Sequence, residues 1–528
     1  MSEKKPSRYT PLIITLSIAV GITIGSFYSS HFAGNRLNII TNSSSKINDL
    51  LQIINDKYVD KVNLSDLVER SMPRILAELD PHSTYVSASE IDDEMQSIKG
   101  SFSGIGIMFT LFNDTARVIK VIEGGPSEQV GIMAGDKIVK VDGKSFVGDS
   151  ITDTYAMKHL KGPKDSKIKL GVLRHGEKKI RYFTVVRNDV AVNSIDIAYM
   201  ISQKTGFIRV NSFSDNTYAE MLVALAKLSN QGMNKLILDL RGNRGGLMAP
   251  AIQIANEFLP SNRMITYIEG RHSKRQEYKS DGRGAYQSMP LVILIDESTA
   301  SASEVFTAAM QDNDRAIVVG RRSFGKGLVQ EPIQFRDGSM IRLTIARYYS
   351  PSGRCVQKPY VFGDTDYQNE LLHRAEKGEF MHKDSIHLKG KEYKTRKGRI
   401  VYGEAGVMPD YFVPNDTSDV TSYYMEAINN RLLPQFAFEY VDSHREEFKN
   451  VEFDQMVRDL KNASLPNKFA NYAEKRGLKR RNLMIKKSYQ LLQDALITMV
   501  FSYNNDTESE YRYANMSDKT VKKALKSF

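Results

Sequence analysis

Between Ile195 and Tyr349, short apolar runs of strand length alternate with segments of helical periodicity. The runs are GFIRV, KLILDL, LVILID and AIVVG. Strand-like runs that alternate with helices are typical of a layered α/β arrangement. This pattern therefore predicts an α/β domain in the middle of the chain.

The length of the chain requires more than one such domain. It has 528 residues, which exceeds what a single hydrophobic core usually supports. The formal net charge of +11 is spread along the sequence, and its densest cluster, Lys475 to Lys487, is more typical of a solvated helix face than of a nucleic-acid site. A single cysteine, Cys355, excludes intrachain disulfides and cysteine-based metal clusters. No nucleic acid, metal or other cofactor is predicted.

The N-terminal region combines basic residues with a long apolar stretch. Lys4, Lys5 and Arg8 precede the segment from Tyr9 to Asn35, which contains no Asp, Glu, Lys or Arg. A hydrocarbon core is spanned by about 20 residues, and the basic flank favours a cytoplasmic N-terminus with the remainder exported. A cleaved signal peptide is the alternative, although no clear A-x-A site follows the stretch. We expect an uncleaved single-pass anchor.

The patterning divides the chain into five parts. We expect a cytoplasmic tip and anchor (1–35), an N-terminal helical region (36–99), a mostly β module (100–188), an α/β core (189–416) and a C-terminal helical region (417–528). Within the core, the polar segment from Val361 to Arg399 is predicted to be an insertion. Pro73 is expected near the start of a helix.

Three serines, Ser298, Ser301 and Ser303, stand where an apolar strand turns into a helix. Serine is a favoured helix N-cap, so one of them is explained by capping alone. A helix start also offers unpaired N–H groups and a partial positive charge, which suit an oxyanion beside a nucleophilic hydroxyl. The stretch alone leaves both interpretations open.

Downstream of this turn, Lys326 lies between Gly325 and Gly327. A lysine can act as general base for serine when burial lowers its pKa, and serine–lysine pairs are a known variant of the catalytic triad. If the chain after Lys326 is extended, Lys326 and Gln330 lie on one face but about 13 Å apart. Direct contact between them therefore needs a bend, for which Gly327 is suited.

These motifs resemble those of the C-terminal processing peptidases, also called tail-specific proteases. The resemblance covers roughly Leu79 to Asp410 and includes SASEVFTAAMQD, FGKGLVQ, DLRGNRGG, LDPHSTY, GFIRVNSF and GVMPD in the family order. It implies that Ser301 is the nucleophile and that Lys326, 25 positions later, is the general base oriented by Gln330. It also implies an oxyanion hole built from the N–H groups of Gly245 (with Gly246 as second choice) and Ala302.

Asp312 and His82 are two other polar residues for which a catalytic role is conceivable. Asp312 ends the helix that follows Ser301, where a carboxylate is more often structural, and a serine–lysine mechanism does not need it. His82 lies in the turn-rich LDPHSTY motif, where we expect it to organise structure and not to act as a base.

The β module resembles the circularly permuted PDZ domains of bacterial proteases. SFSGIGIMF is similar to a carboxylate-binding loop, and PSEQVGIMAGDKIVKVDG is similar to the helix and strand that follow it. Such a loop offers backbone N–H groups to a terminal carboxylate, and the neighbouring strand edge accepts the peptide. The predicted peptide-binding residues are Gly104, Ile105, Gly106 and Ile107, with Arg174 as a candidate sensor of the bound peptide.

The resemblance implies a multidomain α+β protein. A PDZ domain precedes an α/β serine protease core of the crotonase-like (ClpP-like) type, with helical regions at both ends. The expected function is that of a membrane-anchored serine endopeptidase in the inner membrane, with its catalytic part in the periplasm. It would act on exported polypeptides with accessible C-termini. An adaptor protein or a second copy of the chain is left open as a further partner.

Two rival functions remain at this point. One is a catalytically inactive PDZ adaptor on a protease fold. An inactive protein would not need to retain Ser301, Lys326 and Gln330, yet all three residues are present. The other is a crotonase-like acyl-enzyme, which needs neither a PDZ module nor a serine–lysine pair.

Overall fold

The computed structural model describes residues 36–112, 114–361, 366–386 and 390–528. The described chain forms a first compact unit that ends at Leu76 and a second, Ala77–Phe528. The predicted anchor and its signal-peptide alternative lie outside the described residues. Within the described ranges, no helix combines the length and the apolar character that crossing a bilayer requires.

The N-terminal region is helical. Helix α1 is Arg36–Lys57 and helix α2 is Leu64–Ala77. The prediction that Pro73 stands near a helix start is wrong, because Pro73 lies inside α2. Proline in a helix interior removes one backbone hydrogen bond.

The next part of the chain consists mainly of short strands with small helices. Its elements are β1 (Thr84–Val86), α3 (Ile91–Lys99), β2 (Ser101–Gly104), β3 (Ile107–Phe112), β4 (Thr115–Val121), α4 (Pro126–Gln129), β5 (Lys137–Val141), β6 (Lys144–Ser145), α5 (Asp153–Leu160), β7 (Lys167–Leu173), β8 (Arg181–Val186) and β9 (Asn188–Ala191). Strands β3, β4, β5, β7 and β8 form one antiparallel sheet, on which β6 pairs with β5, and β2 pairs with β9. The module encloses a hydrophobic core of its own.

The central part alternates strands and helices. Its elements are β10 (Ile195–Met200), β11 (Thr205–Val210), α6 (Thr217–Asn230), β12 (Lys235–Asp239), α7 (Met248–Phe258), β13 (Met264–Glu269), β14 (Gln276–Lys279), β15 (Leu291–Ile295), α8 (Ala302–Asp312), β16 (Ile317–Gly320), β17 (Leu328–Gln334) and β18 (Met340–Tyr349). All four apolar runs that the sequence singled out form strands of this part.

The main sheet has the strand order β10, β11, β12, β15, β16 and a final strand β21 (Tyr411–Phe412). Strands β11 to β21 run parallel along this order, and β10 is antiparallel to β11. Helices α6, α7 and α8 cover one face of the sheet and share its largest hydrophobic core. Parallel sheets are usually buried on both faces, and the carboxyl ends of their strands meet at one edge. Ser301 follows β15 at that edge.

A second sheet carries the lysine loop. Its order is β1, β18, β13 and β14, with β17 paired to β18 in an antiparallel hairpin. Lys326 and Gly327 lie immediately before β17, and the register of the hairpin shifts between Val329 and Gln330. Strand β1, which begins at Thr84 within the LDPHSTY motif, pairs with β18, so that His82 lies close to Gln330 of β17.

The segment predicted as an insertion contains regular structure. It holds two 3₁₀ turns (Asp366–Asn369 and Lys383–Ser385), helix α9 (Glu370–Glu376) and strand β19 (Glu392–Lys394), which pairs with β20 (Ile400–Tyr402).

The C-terminal region is entirely helical in its regular structure. Its helices are α10 (Ser422–Asn429), α11 (Leu432–His444), α12 (Phe453–Asn462), α13 (Leu465–Glu474), α14 (Asn482–Lys487), α15 (Tyr489–Tyr503), α16 (Thr507–Ser517) and α17 (Lys519–Leu525). They build a separate hydrophobic core. Val521 and Ala524 of α17 also pack on the second face of the main sheet, against residues such as Leu294. The helical region therefore completes the burial of that sheet.

Candidate active site

Ser301 lies at the turn between β15 and α8. Its backbone has φ 55° and ψ −118°, a positive-φ conformation that residues with a Cβ atom rarely adopt. Such strain costs on the order of 1–3 kcal/mol and persists only where the surrounding structure imposes it. The Ser301 side chain is almost buried and lies near the hydroxyl of Tyr348.

The other two serines of the turn have structural contacts. The Ser298 N–H donates to Asp296 Oδ1 at 3.0 Å, which closes the turn after β15. Ser303 is fully buried, and its Oγ donates to the carbonyl of Asn243 at 3.1 Å. Of the three serines, Ser301 is thus the one with a strained backbone at the helix N-terminus.

The Lys326 side chain is largely withdrawn from solvent and makes the contact that the sequence predicted. Its Nζ donates to Gln330 Oε1 at 3.0 Å. The contact is made because Lys326 precedes β17 and because the hairpin register shifts at Gln330, so the chain between them is not straight. Burial, followed by the nearby cation of Arg342, lowers the pKa of Lys326, while Asp80 and Glu304 oppose the shift.

The turn before β1 holds Gln330. Gln330 Nε2 donates to the backbone carbonyl of His82. The buried Asp80 carboxylate fixes this turn by accepting the N–H groups of His82 and Ser83, both at 2.8 Å. Burial and the Lys326 ammonium lower the pKa of His82 to about 4. His82 is therefore a neutral, structural residue near neutral pH.

Glu304 links the serine turn to the lysine loop. Its carboxylate is fully buried and accepts the N–H groups of Ser301 at 3.0 Å, Gly325 at 2.8 Å and Lys326 at 2.7 Å, as well as the Ser323 hydroxyl at 2.5 Å. Burial raises the pKa of Glu304 to about 7, while these four donors favour the charged form.

The glycine turn of DLRGNRGG packs directly against Ser301. A Cβ atom on Gly245 would lie 2.8 Å from the Cβ of Ser301 and 2.9 Å from the N atom of Ala302, and Gly245 has φ +96°. The Gly245 N–H donates to Asn243 Oδ1 at 2.8 Å. A Cβ atom on Gly246, the second choice, would lie 2.1 Å from the carbonyl oxygen of Phe213. The turn and the first N–H of α8 are thus adjacent, as an oxyanion hole requires.

Comparisons with known proteins decide the class to which this site belongs. The profile of peptidase family S41 matches residues 204–367. A Staphylococcus aureus protein named "Probable CtpA-like serine protease" is 32% identical over 367 residues, which cover 68% of this chain and 73% of the relative. The chain belongs to peptidase family S41. It is a serine-type endopeptidase of the carboxy-terminal-processing kind.

Other similarities extend along this S41 protease. A "Carboxy-terminal-processing protease" of Bartonella bacilliformis is 29% identical over 409 residues, which cover 75% of this chain and 91% of the relative. The solved structure of a photosystem II D1 C-terminal processing protease has 25% identity and a TM-score of 0.36, and the match covers 70% of this chain and 92% of that one. The PDZ profile matches residues 103–181, and a family of unknown function, DUF8443, matches residues 423–526.

The PDZ domain of the S41 protease contains an apolar groove. A cavity of about 380 Å³ is lined by Gly104, Ile105, Gly106 and Ile107, together with Phe102, Met108, Phe109, Asp153, Met157, Leu160 and Lys161. All four residues predicted for the peptide-binding loop therefore line one groove.

Arg174 lies elsewhere in the PDZ domain. Its guanidinium forms two hydrogen bonds of 2.8 Å with the carboxylate of Asp136 and a third, also 2.8 Å, with the carbonyl of Gly131. Arg174 is not among the residues that line the groove. The structure brings it into an internal ion pair and does not join it to the loop of Gly104 to Ile107.

Asp312 has the structural surroundings that the sequence suggested. Its carboxylate pairs with Arg354 at 2.8 Å, and both side chains are fully buried. Ser352 Oγ also donates to it at 2.7 Å. The pair ties the end of α8 to the chain that follows β18.

Sequence reasoning did not assign roles to Glu304, Tyr348 or the carbonyl of His82. Glu304 had a detectable signal, because it stands three residues after Ser301 in the S-x-x-E spacing of a capping box. Tyr348 and His82 reach the site through β18 and the turn before β1, which are remote in sequence. No local pattern marks such contacts.

Proposed function

We propose that this chain is a membrane-anchored C-terminal processing protease that cleaves exported polypeptides with a Ser301–Lys326 pair. The observation that carries the proposal is the meeting of three features at one edge of the main sheet. These are the strained turn of Ser301, the glycine turn around Gly245 that packs against it, and the backbone of Lys326, which shares the Glu304 carboxylate with the backbone of Ser301.

The chemistry follows from the environments of these groups. Neutral Lys326 accepts the proton of the Ser301 hydroxyl as the oxygen attacks the peptide carbonyl, and it returns the proton to the leaving amine. Gln330 orients the amine through its 3.0 Å hydrogen bond. The N–H of Ala302 and one N–H of the glycine turn, from Gly245 or Gly246, stabilise the oxyanion. The Ser301 side chain lies near the Tyr348 hydroxyl, and catalytic hydrogen bonds often form or tighten only when substrate binds.

The Gly245 N–H has to become available for this role. It donates to Asn243 Oδ1, and Nδ2 of the same Asn243 side chain donates to the carbonyl of Val210 at 2.9 Å. Gly246 is the alternative donor of the same turn. Ala302 is the first residue of α8, and its N–H therefore belongs to the helix donors that lack an intrahelical partner.

The groove of the PDZ domain favours the C-terminus of a polypeptide as the ligand that this domain recruits. Its loop from Gly104 to Ile107 borders an apolar cavity that includes Phe102, Met157 and Leu160. Backbone N–H groups of such a loop bind a carboxylate, and an apolar cavity accepts the last side chain. A peptide that ends in an apolar residue with a free carboxylate is the ligand that fits both features.

A pair of peptides tests this recruitment. One has a free C-terminus and the other is amidated, and both share an identical internal cleavage site. We expect a KM at least about tenfold lower for the free peptide, because the charged hydrogen bonds to the loop are lost on amidation. Equal kinetic constants for the two peptides would contradict recruitment by the PDZ domain.

The membrane anchor and the periplasmic location rest on the sequence of residues 1–35. The apolar stretch from Tyr9 to Asn35 and its basic flank support a single-pass anchor in the inner membrane. Fractionation and N-terminal sequencing of the mature protein test this part. A mature chain that begins between Ser29 and Asn35 and leaves the membrane fraction would contradict it.

The proteolytic function itself is tested with an unfolded polypeptide. The full chain and its Ser301→Ala variant are incubated with the same substrate, and the new termini are identified by mass spectrometry. We expect cleavage products from the wild-type chain alone. Identical products from both proteins would contradict the proposal, and products from neither would favour the inactive adaptor.

A further inference from the structure

A chain of hydrogen bonds connects the segment from Val361 to Arg399 with Lys326. The Tyr367 hydroxyl meets His82 Nε2 at 2.9 Å. The His82 carbonyl accepts Gln330 Nε2, and Gln330 Oε1 accepts the Lys326 amine at 3.0 Å. Tyr367 is 4% exposed. The phenol of Tyr367 and the amine of Lys326 are thus connected through His82 and Gln330.

The directions of these hydrogen bonds can be assigned from the donors involved. Gln357 Nε2 donates to the Tyr367 oxygen at 3.1 Å, so the single hydrogen of the phenol is available for His82 Nε2. His82 can accept it only as a neutral imidazole. The nearby cations Lys326, Lys358 and Arg342 disfavour protonation of this ring, while Asp80 opposes them. The neutral ring is thus the form that the surroundings select.

A second path joins Tyr367 to the lysine loop. Gln357, which donates to the phenol, accepts the N–H of Gly327 with its Oε1 at 2.9 Å. Gly327 directly follows Lys326 in the chain. Tyr367 therefore contacts the loop through Gln357 on one side and through His82 and Gln330 on the other.

The insertion also holds the other end of the same loop. Arg374 of α9 donates to the carbonyls of Arg322 at 2.8 Å and Ser323 at 3.1 Å. Its guanidinium and that of Arg322 both pair with the Glu379 carboxylate, at 2.8 Å and 2.7 Å. All three charged side chains are largely buried, so these contacts fix the loop and the insertion relative to each other.

We infer that Tyr367 is a positioning residue for the general base, and that the Val361–Arg399 insertion serves the active site through it. The inference rests on the proposed function of Lys326. Without the phenol, the His82 ring loses its partner and the carbonyl that holds Gln330 is less well fixed. The Lys326 amine then samples positions away from Ser301 and nearer to water.

The test replaces the hydroxyl alone, with Tyr367→Phe in the full chain. We expect kcat to fall about tenfold and KM to stay within about twofold, because a small displacement of a catalytic group costs rate and not substrate affinity. The rising limb of the kcat/KM profile should move to higher pH, since better hydration raises the pKa of Lys326. The matched control is Tyr393→Phe, which removes the phenol of β19 in the same insertion and should leave both parameters unchanged.

A double-mutant cycle with Gln330→Ala separates this role from a general structural effect. Because only the path through Gln357 remains in the Gln330→Ala background, Tyr367→Phe should lower kcat there by clearly less than tenfold. An equal tenfold loss in both backgrounds, or an unshifted pH profile, would overturn the inference while leaving Ser301 and Lys326 as the catalytic pair. Gln357→Met, which cuts the second path, should shift the profile in the same direction. Thermal unfolding of each variant verifies that it is folded.

Discussion

Glu304 Oε2 accepts the backbone N–H of Lys326 at 2.7 Å, and the same oxygen accepts the backbone N–H of Ser301 at 3.0 Å. One buried carboxylate therefore fixes the backbones of the proposed nucleophile and the proposed base. Ser301 is located after β15 of the main sheet and Lys326 before β17 of the second sheet, so this contact is also a link between the two sheets.

Replacing this carboxylate by an amide tests the link. Glu304→Gln keeps the size of the side chain but turns an NH₂ group toward backbone donors, which leaves buried hydrogens unpaired. We expect a loss of about 1–3 kcal/mol in the free energy of unfolding and a fall in kcat of about a hundredfold. Urea denaturation and steady-state kinetics measure these effects. Wild-type values for both would show that Glu304 does not connect the two loops.

The Tyr348 hydroxyl is predicted to hold the Ser301 side chain for attack. The backbone N–H of Tyr348 also donates to the Gly327 carbonyl at 2.8 Å, so Tyr348 lies beside both the serine turn and the lysine loop. Tyr348→Phe should lower kcat about tenfold or more with little change in KM. Neighbouring side chains on a strand point to opposite faces, so Tyr349→Phe is a matched control. Equal effects of the two variants would contradict a specific role for Tyr348.

The glycine turn is predicted to be essential because of its closeness to Ser301. In Gly245→Ala, the new methyl group would lie 2.7 Å from the carbonyl oxygen of Ala300 and 2.8 Å from the Ser301 Cβ atom. We expect activity to be lost. The control is Gly242→Ala, which has a similar positive φ of +74° but no atom nearer than 3.7 Å. Gly242→Ala should be less stable than the wild-type chain but active. If Gly245→Ala were as active as Gly242→Ala, the placement of the glycine turn beside Ser301 would be contradicted.

The lowered pKa of Lys326 predicts the pH dependence of the enzyme. In the proposed mechanism the neutral amine is the catalytic form, so kcat/KM should rise with pH through the pKa of Lys326. Burial and Arg342 place this midpoint below the ordinary lysine value of about 10.4. Arg342→Gln removes a nearby positive charge and should move the midpoint upward. A profile in which the midpoint moves downward in this variant would contradict the assignment of the limb to Lys326.

The sequence identified the fold and the proposed catalytic residues through local patterns. The alternation of apolar runs predicted the main sheet. The sequence required a bend between Lys326 and Gln330 and offered Gly327 for it, whereas the register shift in the structure lies between Val329 and Gln330. The contacts of Tyr348, His82 and Tyr367 were not predictable, because each joins segments far apart in the chain. The partner of Arg174 was not predictable either. An arginine at a strand end gives no indication of its partner, and here it is Asp136 within the PDZ domain.

The central claim is that Ser301 carries the acyl group during cleavage, and trapping this intermediate tests it most directly. The wild-type chain is quenched with acid during turnover of a peptide ester, digested, and mapped by mass spectrometry. We expect an acyl adduct on Ser301 of the wild-type chain and no adduct in the Ser301→Ala variant. An adduct on Ser298 or Ser303, or full peptide cleavage by Ser301→Ala, would contradict it.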